Sequence, residues 1–204
     1  MSNTKQIIIL TPCHFFLTGL TELLKKTHLP INLIPATSPE EVIAITKSVN
    51  TAMIVMTQES KSPAETARVH IQLQYIHRLM IIGVIPLTPC LLLTPELTVN
   101  IEGTLFQRKR ENLLHHLETS IGEILVNSEK YKNMTFQRPV SNRQMYILRG
   151  IQKGMTVNQL AEQMNISPKT VFVHQNALIR KLKLRNRIEL ITLISQVATD
   201  VVFN

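Results

Sequence analysis

Residues 138–204 hold ten lysines and arginines against Glu162, Glu189 and Asp200, whereas residues 1–137 hold twelve against eleven glutamates. Cations gathered in one segment suit a polyanion, because each one that meets a phosphate releases a condensed counterion. If Val171, Leu178 and Leu182 form the inner side of a helix, then Lys169, Phe172, Val173, Asn176 and Arg180 share its opposite face. That face mixes charge with groups able to read bases. Asn176 carries the paired donor and acceptor that match adenine, and Phe172 or Val173 can pack on a thymine methyl. Lys169 and Thr170 sit in the first turn, within reach of phosphates or base edges. His174 suits a phosphate contact as well as a half-buried structural role. Lys181, Lys183, Arg185 and Arg187 follow as a cluster fitted to position phosphates.

Other chemistries lack their residues. Of the fourteen acids thirteen are Glu, and the single aspartate is Asp200. Aspartyl phosphorylation, EF-hand calcium binding and Asp-based nucleophilic catalysis are excluded from residues 1–137 on that ground. Cys13 and Cys90 make neither a disulfide framework nor a four-cysteine zinc site, and read as small apolar residues. His70, His77 and His115-His116 have no carboxylate or cysteine at ligand spacing, so no metal and no cofactor is expected. Arg108-Lys109-Arg110 reads as a solvated charged face. There is no Gly-rich phosphate loop, Ser/His/Asp set or paired-carboxylate spacing, and the expectation is a protein that is not an enzyme.

The elements that must position these residues follow from the apolar pattern. The chain has 204 residues, is 44% apolar and has a net charge of +8, enough apolar content for two ordinary cores. Short apolar runs at Gln6–Leu10, Ile31–Ile34, Ala52–Met56, Leu79–Ile85 and, weakly, Thr104–Gln107 predict strands. Helical patterns lie between them at Phe15–Lys26, from Ser38-Pro39 onward, at Ala64–Tyr75 and at Glu111–Leu125. Such alternation predicts an α/β domain with a parallel sheet covered by helices on both faces. Residues 88–100 stay open, because Pro89 and Pro95 interrupt the helix expected there. From Asn142 onward the pattern is all helix. Met145, Leu148 and Ile151 mark one helix, and Leu160 and Ala161 a second, capped by Thr156. A third is capped by Ser167 and opens on Pro168, and a fourth is capped by Asn186 with Ile188, Ile191, Leu193 and Ile194. Two short helices joined at Asn165-Ile166, the second basic, make a helix-turn-helix layout. The domains are thus 1–126 and 139–204, joined by the polar stretch 127–138. The apolar run at residues 7–10 is too short for a signal-peptide core and Leu79–Leu93 too short for a membrane span, so a soluble cytoplasmic protein is expected.

Several spaced positions in residues 140–187 resemble the LuxR/FixJ-type DNA-binding domain. They are Gln159-Leu-Ala161, Ile166-Ser-Pro-Lys-Thr-Val171, His174 and Arg180-Lys-Leu-Lys-Leu-Arg-Asn-Arg187. Gln144 stands where that family usually has Glu, and Phe172 where a lysine that reaches DNA is common. Residues 1–126 are similar to the receiver domain that often precedes this module, in a degenerate form. Thr11 and Pro12 occupy the place of the paired magnesium-binding acids, the third strand ends at Thr57 without a phospho-acceptor, and Gln107 falls near the usual lysine.

The resemblance implies a transcriptional regulator, acting as a dimer with itself or with a related receiver-bearing regulator, whose third helix enters the major groove of double-stranded DNA. Together with the helix-face geometry above, it gives the expected DNA-binding residues Lys169, Thr170, Phe172, Val173, His174, Asn176, Arg180, Lys181, Lys183 and Arg187. The alternative is an interaction protein with little DNA readout, for which Phe172 in place of a cation speaks. A small-molecule sensor would need a pocket in the first domain that nothing in the sequence marks. Candidate pairing surfaces are Cys90-Leu91-Leu92-Leu93 and the helix Glu111–Leu125.

Overall fold

The computed structural model describes residues 4–27, 29–58, 60, 62–94, 104–108, 113–127, 130–131 and 140–198. They fall into two compact units, Met1–Met80 with Ile85–Gln137, and Ile81–Val84 with Arg138–Asn204.

The first unit is α/β. Strands β1 (Lys5–Leu10), β2 (Ile31–Ala36), β3 (Thr51–Thr57), β4 (Cys90–Thr94) and β5 (Thr104–Arg108) form one sheet in the order β2-β1-β3-β4-β5. Every neighbouring pair is parallel, with Ile8 opposite Ile34 and Ile54, and Leu91 opposite Val55 and Leu105. Helices α1 (His14–Lys25), α2 (Pro39–Ser48), α3 (Pro63–Ile81) and α4 (Leu113–Val126) connect and flank the strands. Side chains alternate across a strand, so Ile7, Ile9, Met53, Val55, Leu91 and Leu93 share one face, packed with Leu20 and Leu24 of α1 and Ile121 and Ile124 of α4. Ile8, Leu10, Ile54, Met56 and Leu92 point the other way and are also buried. Burial on both faces explains the unbroken apolar runs, each buried Ile or Leu contributing about 1.5–3 kcal/mol.

The fourth strand is not where the sequence predicts it. Leu79–Ile85 is instead the end of α3, which runs on to Ile81, with the turn beyond it, where Gly83 takes a left-handed φ of 76°. Val69, Leu73, Ile76 and Met80 are buried at helical spacing, and the apolar run simply continues that stripe. A short fully apolar segment has no period to separate strand from buried helix. The strand is Cys90–Thr94, in the region left open, and it lies between β3 and β5. Its complete burial corrects the second expectation: Cys90, Leu91, Leu92 and Leu93 are 1–3% exposed and offer no pairing surface. Helix α4 turns Ile121 and Ile124 into the core, while Thr119 and Val126 are exposed. Glu111, Lys109, Arg110, residues 95–100 and most of the stretch 127–138 lie outside the described residues.

The second unit is all helix: α5 (Asn142–Gln152), α6 (Val157–Gln163), α7 (Pro168–Lys181) and α8 (Arg187–Ala198). Its core gathers Ile147, Leu148, Leu160, Ala161, Val171, Leu178, Leu182, Leu190, Leu193 and Ile194. In α5 the inner side is Ile147 and Leu148, with Met145 and Ile151 only half-buried. In α8 it is Leu190, Leu193 and Ile194, while Ile188 and Ile191 face outward. Among the described residues no helix is long and apolar enough to cross a membrane, and no group of three or more His, Cys, Asp or Glu could hold a metal ion.

Candidate nucleic-acid interface

Helices α6 and α7 are fixed by local hydrogen bonds written into the sequence. Thr156 Oγ1 accepts from Gln159 N at 3.3 Å, and Gln159 Oε1 accepts from Thr156 N at 2.8 Å, a reciprocal cap. Ser167 Oγ accepts from Thr170 N at 3.1 Å, and Pro168 supplies the first turn of α7 with a φ already set for helix. Between them Asn165 adopts a φ of 51°, and Ile166 N donates back to Ala161 O at 3.0 Å. The same closing bond ends α5, where Met155 N meets Gly150 O at 2.9 Å past Gly154. It ends α7 again, where Leu184 N meets Ile179 O at 2.9 Å past Lys183. This Schellman-type ending requires a left-handed residue. Gly154 takes it freely and Asn165 at low cost, but Lys183, at φ 51°, carries a Cβ into a conformation that costs about 1–2 kcal/mol.

These ends set the roll of α7. Val171, Gln175, Leu178 and Leu182 are 0–1% exposed and fix the inner side. Lys169, Phe172, Val173, Asn176 and Arg180 all lie on the exposed side, and the apolar pair among them is strongly exposed, Phe172 at 44% and Val173 at 57%. Thr170 is half-buried and its hydroxyl is 2.8 Å from Ser167 Oγ, so it serves the cap. His174 is half-buried, with Nε2 shut away from solvent and without a hydrogen-bond partner among the described residues.

The basic cluster divides. Lys181 is half-buried and its Nζ donates to Gln144 Oε1 at 3.3 Å, tying α7 to α5. Arg185 Nε lies 3.3 Å from Glu189 Oε1 and Arg185 N donates to Glu189 Oε2 at 2.8 Å. Lys183 and Arg187 are exposed, and the guanidinium of Arg187 sits 5.7 Å from the centre of the Phe172 ring.

Three features of this unit escaped the sequence reading. Gln144 caps α5, its Oε1 accepting from Ser141 N at 3.1 Å while Ser141 Oγ accepts from Gln144 N at 3.3 Å. The Ser-x-x-Gln spacing was the available signal. Gln175 falls on the inner stripe of α7, four residues after Val171, and its buried amide has no hydrogen-bond partner among the described groups. The Arg187–Phe172 pair is separated by a turn between helices, and no local pattern announces it.

Residues 138–194 match the family of bacterial regulatory proteins of the luxR type. The match lies within the all-helical second unit. Among curated proteins, the transcriptional regulatory protein UhpA of Salmonella typhimurium (strain LT2) and that of Escherichia coli (strain K12) are each 37% identical over 54 residues. The matched stretch is 26% of this chain and only 28% of each UhpA. Among solved structures, the two-component response regulator RcsB–DNA complex aligns with a TM-score of 0.40 at 18% identity, over 96% of this chain and 100% of that one. The response regulator StyR aligns at 0.44 and 16% identity, over 95% and 99%.

Proposed function

We propose that this protein is a sequence-specific DNA-binding regulator of transcription that lays α7 in the major groove. The observation that carries the reading is the exposed face of α7, where Lys169, Phe172, Val173, Asn176 and Arg180 stand together on a helix capped and rolled by its neighbours. The luxR-family match over residues 138–194 and the regulatory role in the name of UhpA support it. In this reading residues 139–204 bind DNA, 1–126 form a receiver-like domain and 127–138 join them. The protein works in the cytoplasm as a dimer, with itself or with a related regulator, and needs no cofactor.

Control does not run through aspartyl phosphate. That chemistry needs a carboxylate nucleophile and acids to hold Mg²⁺. At the ends of β1 and β3 stand Thr11 and Thr57, 3% and 1% exposed, and their hydroxyls bond to each other.

Salt tests the reading. With on the order of 6–10 phosphate contacts per dimer, affinity for duplex DNA should fall about 10³–10⁵-fold between roughly 50 and 200 mM salt. Affinity that is flat across that range removes DNA as the ligand. The exposure of Phe172 and Val173 favours a second reading, an auxiliary protein that binds a related regulator. Retention of genomic fragments only when such a regulator is added would select it.

A further inference from the structure

We infer that Phe172 acts through Arg187: its ring is the platform that holds the Arg187 guanidinium on the DNA-facing side of α7, returning a fixed cation to a place where Phe172 itself supplies none. The inference rests on the proposed DNA-binding reading and adds a positioning residue to it.

The geometry begins with where Arg187 is placed. It is the first residue of α8, capped by Asn186 Oδ1, which accepts from Glu189 N at 3.0 Å. A cation in the first turn faces the positive end of the helix dipole and gains by moving off the axis. The nearby acid does not hold it, for both oxygens of Glu189 are engaged by Arg185. The guanidinium instead lies 5.7 Å from the centre of the Phe172 ring, within the range in which the negative face of an aromatic attracts a cation. Phe172 sits one turn from Lys169 and one turn from Asn176, on the face proposed to read DNA, and is 44% exposed. A phenyl ring has no charge for a phosphate. A guanidinium drawn toward it has, and the attraction favours orientations near the ring over the full spread of its rotamers.

The pairing predicts coupling. Phe172→Leu keeps an apolar side chain but loses the ring quadrupole, so it should weaken duplex binding about 2–5-fold, the equivalent of a ~0.5–1 kcal/mol exposed cation–π contact. In an Arg187→Ala background the same Phe172→Leu change should have little further effect. Phe172→Tyr, which retains the ring, should lose less affinity than Phe172→Leu and should remain coupled to Arg187→Ala.

The experiment measures duplex affinity and its salt slope for the full-length wild type, Phe172→Leu, Phe172→Tyr, Arg187→Ala and the Phe172→Leu/Arg187→Ala pair, with NMR of each protein free of DNA. Upfield-shifted Arg187 side-chain protons in the wild type and Phe172→Tyr, lost in Phe172→Leu, show the pairing itself. Non-additive losses, with Arg187→Ala lowering the salt slope, then carry it to DNA. Losses that simply multiply in the double variant, while the wild type binds duplex normally, overturn the inference and leave the proposed function standing. A wild type that binds no duplex at all overturns both.

Discussion

The Thr57 hydroxyl donates to the Thr11 hydroxyl across 2.9 Å, joining the ends of β3 and β1. Parallel α/β sheets bind ligands outside the carboxyl ends of strands where the connections diverge, and here β1 and β3 flank that point. The neighbouring side chains continue the pattern: Thr94 Oγ1 donates to Gln58 Oε1 at 3.2 Å, and Gln58 Nε2 donates to Thr66 Oγ1 at 3.0 Å. Neutral groups thus satisfy one another at this edge, whereas buried carboxylates there would need a cation or would take up protons.

Acetyl phosphate with Mg²⁺ is therefore expected to leave the intact mass of the protein unchanged and its DNA affinity unaltered. The transferring group is densely anionic, and Thr11, Pro12 and Thr57 present no charge to hold the metal that would screen it. A hydroxylamine-labile phosphoryl adduct on the first unit is the result that refutes this.

The caps, the turn and the exposed face of the second unit were legible because local chemistry decides them: Ser167-Pro168, Thr156 and Asn186 each bond within three residues. The first unit was legible as a class but not at β4. Leu79–Ile85 and Cys90–Leu93 are both apolar throughout, and only packing assigns the end of α3 and a turn to the first and strand to the second. Lys181 illustrates the limit within the site. Its type and spacing suited a phosphate, and its hydrogen bond to Gln144, 37 residues away in sequence, is a contact that no local pattern announces.

Gly150→Ala should destabilise the second unit by about 1–2 kcal/mol, although alanine is the better helix former. A Cβ at Gly150 would run into Leu160 Cδ2, and Leu160 is fully buried and has little room to yield. Thermal unfolding of the variant measures it, and an unchanged or higher midpoint would show that the α5–α6 contact relaxes freely.

Cys90 should resist thiol reagents until the first unit unfolds, while the half-exposed Cys13 reacts in the native protein. Burial pushes the Cys90 thiol up from 9.0 to about 12. The unfolded chain releases this proton near 9.0 and the folded chain does not. The stability gained by keeping the thiol neutral is complete below that value and is lost as pH rises from about 9 toward 12. Denaturation of the wild type and Cys90→Ala across this window checks the sign: the wild type should lose stability with pH more steeply than the variant.

Lys183→Gly separates stability from binding at one position. Glycine adopts the left-handed φ of 51° without a Cβ penalty, so the variant should gain about 1 kcal/mol in unfolding free energy. In the proposed reading it also loses a phosphate contact, so affinity should fall alike for specific and random duplexes, with a shallower salt slope. A variant that is more stable and binds as before would show that the lysine has no part in DNA contact.

Asn176→Ala should do the opposite. Asn176 is exposed at the centre of the α7 face, flanked by Phe172 and Val173 one turn before and Arg180 one turn after, and its substitution disturbs no core packing. Unfolding should be unchanged within about 0.5 kcal/mol. An amide that pairs with both edge atoms of adenine carries about 1–3 kcal/mol of discrimination, and losing it should flatten preference at one base pair of the site while leaving random-sequence affinity intact. Selection of bound sequences from a random pool, wild type against variant, reads this out position by position. Equal loss on specific and random DNA would place Asn176 on the backbone and leave sequence readout to other groups of the α7 face and the DNA's own shape.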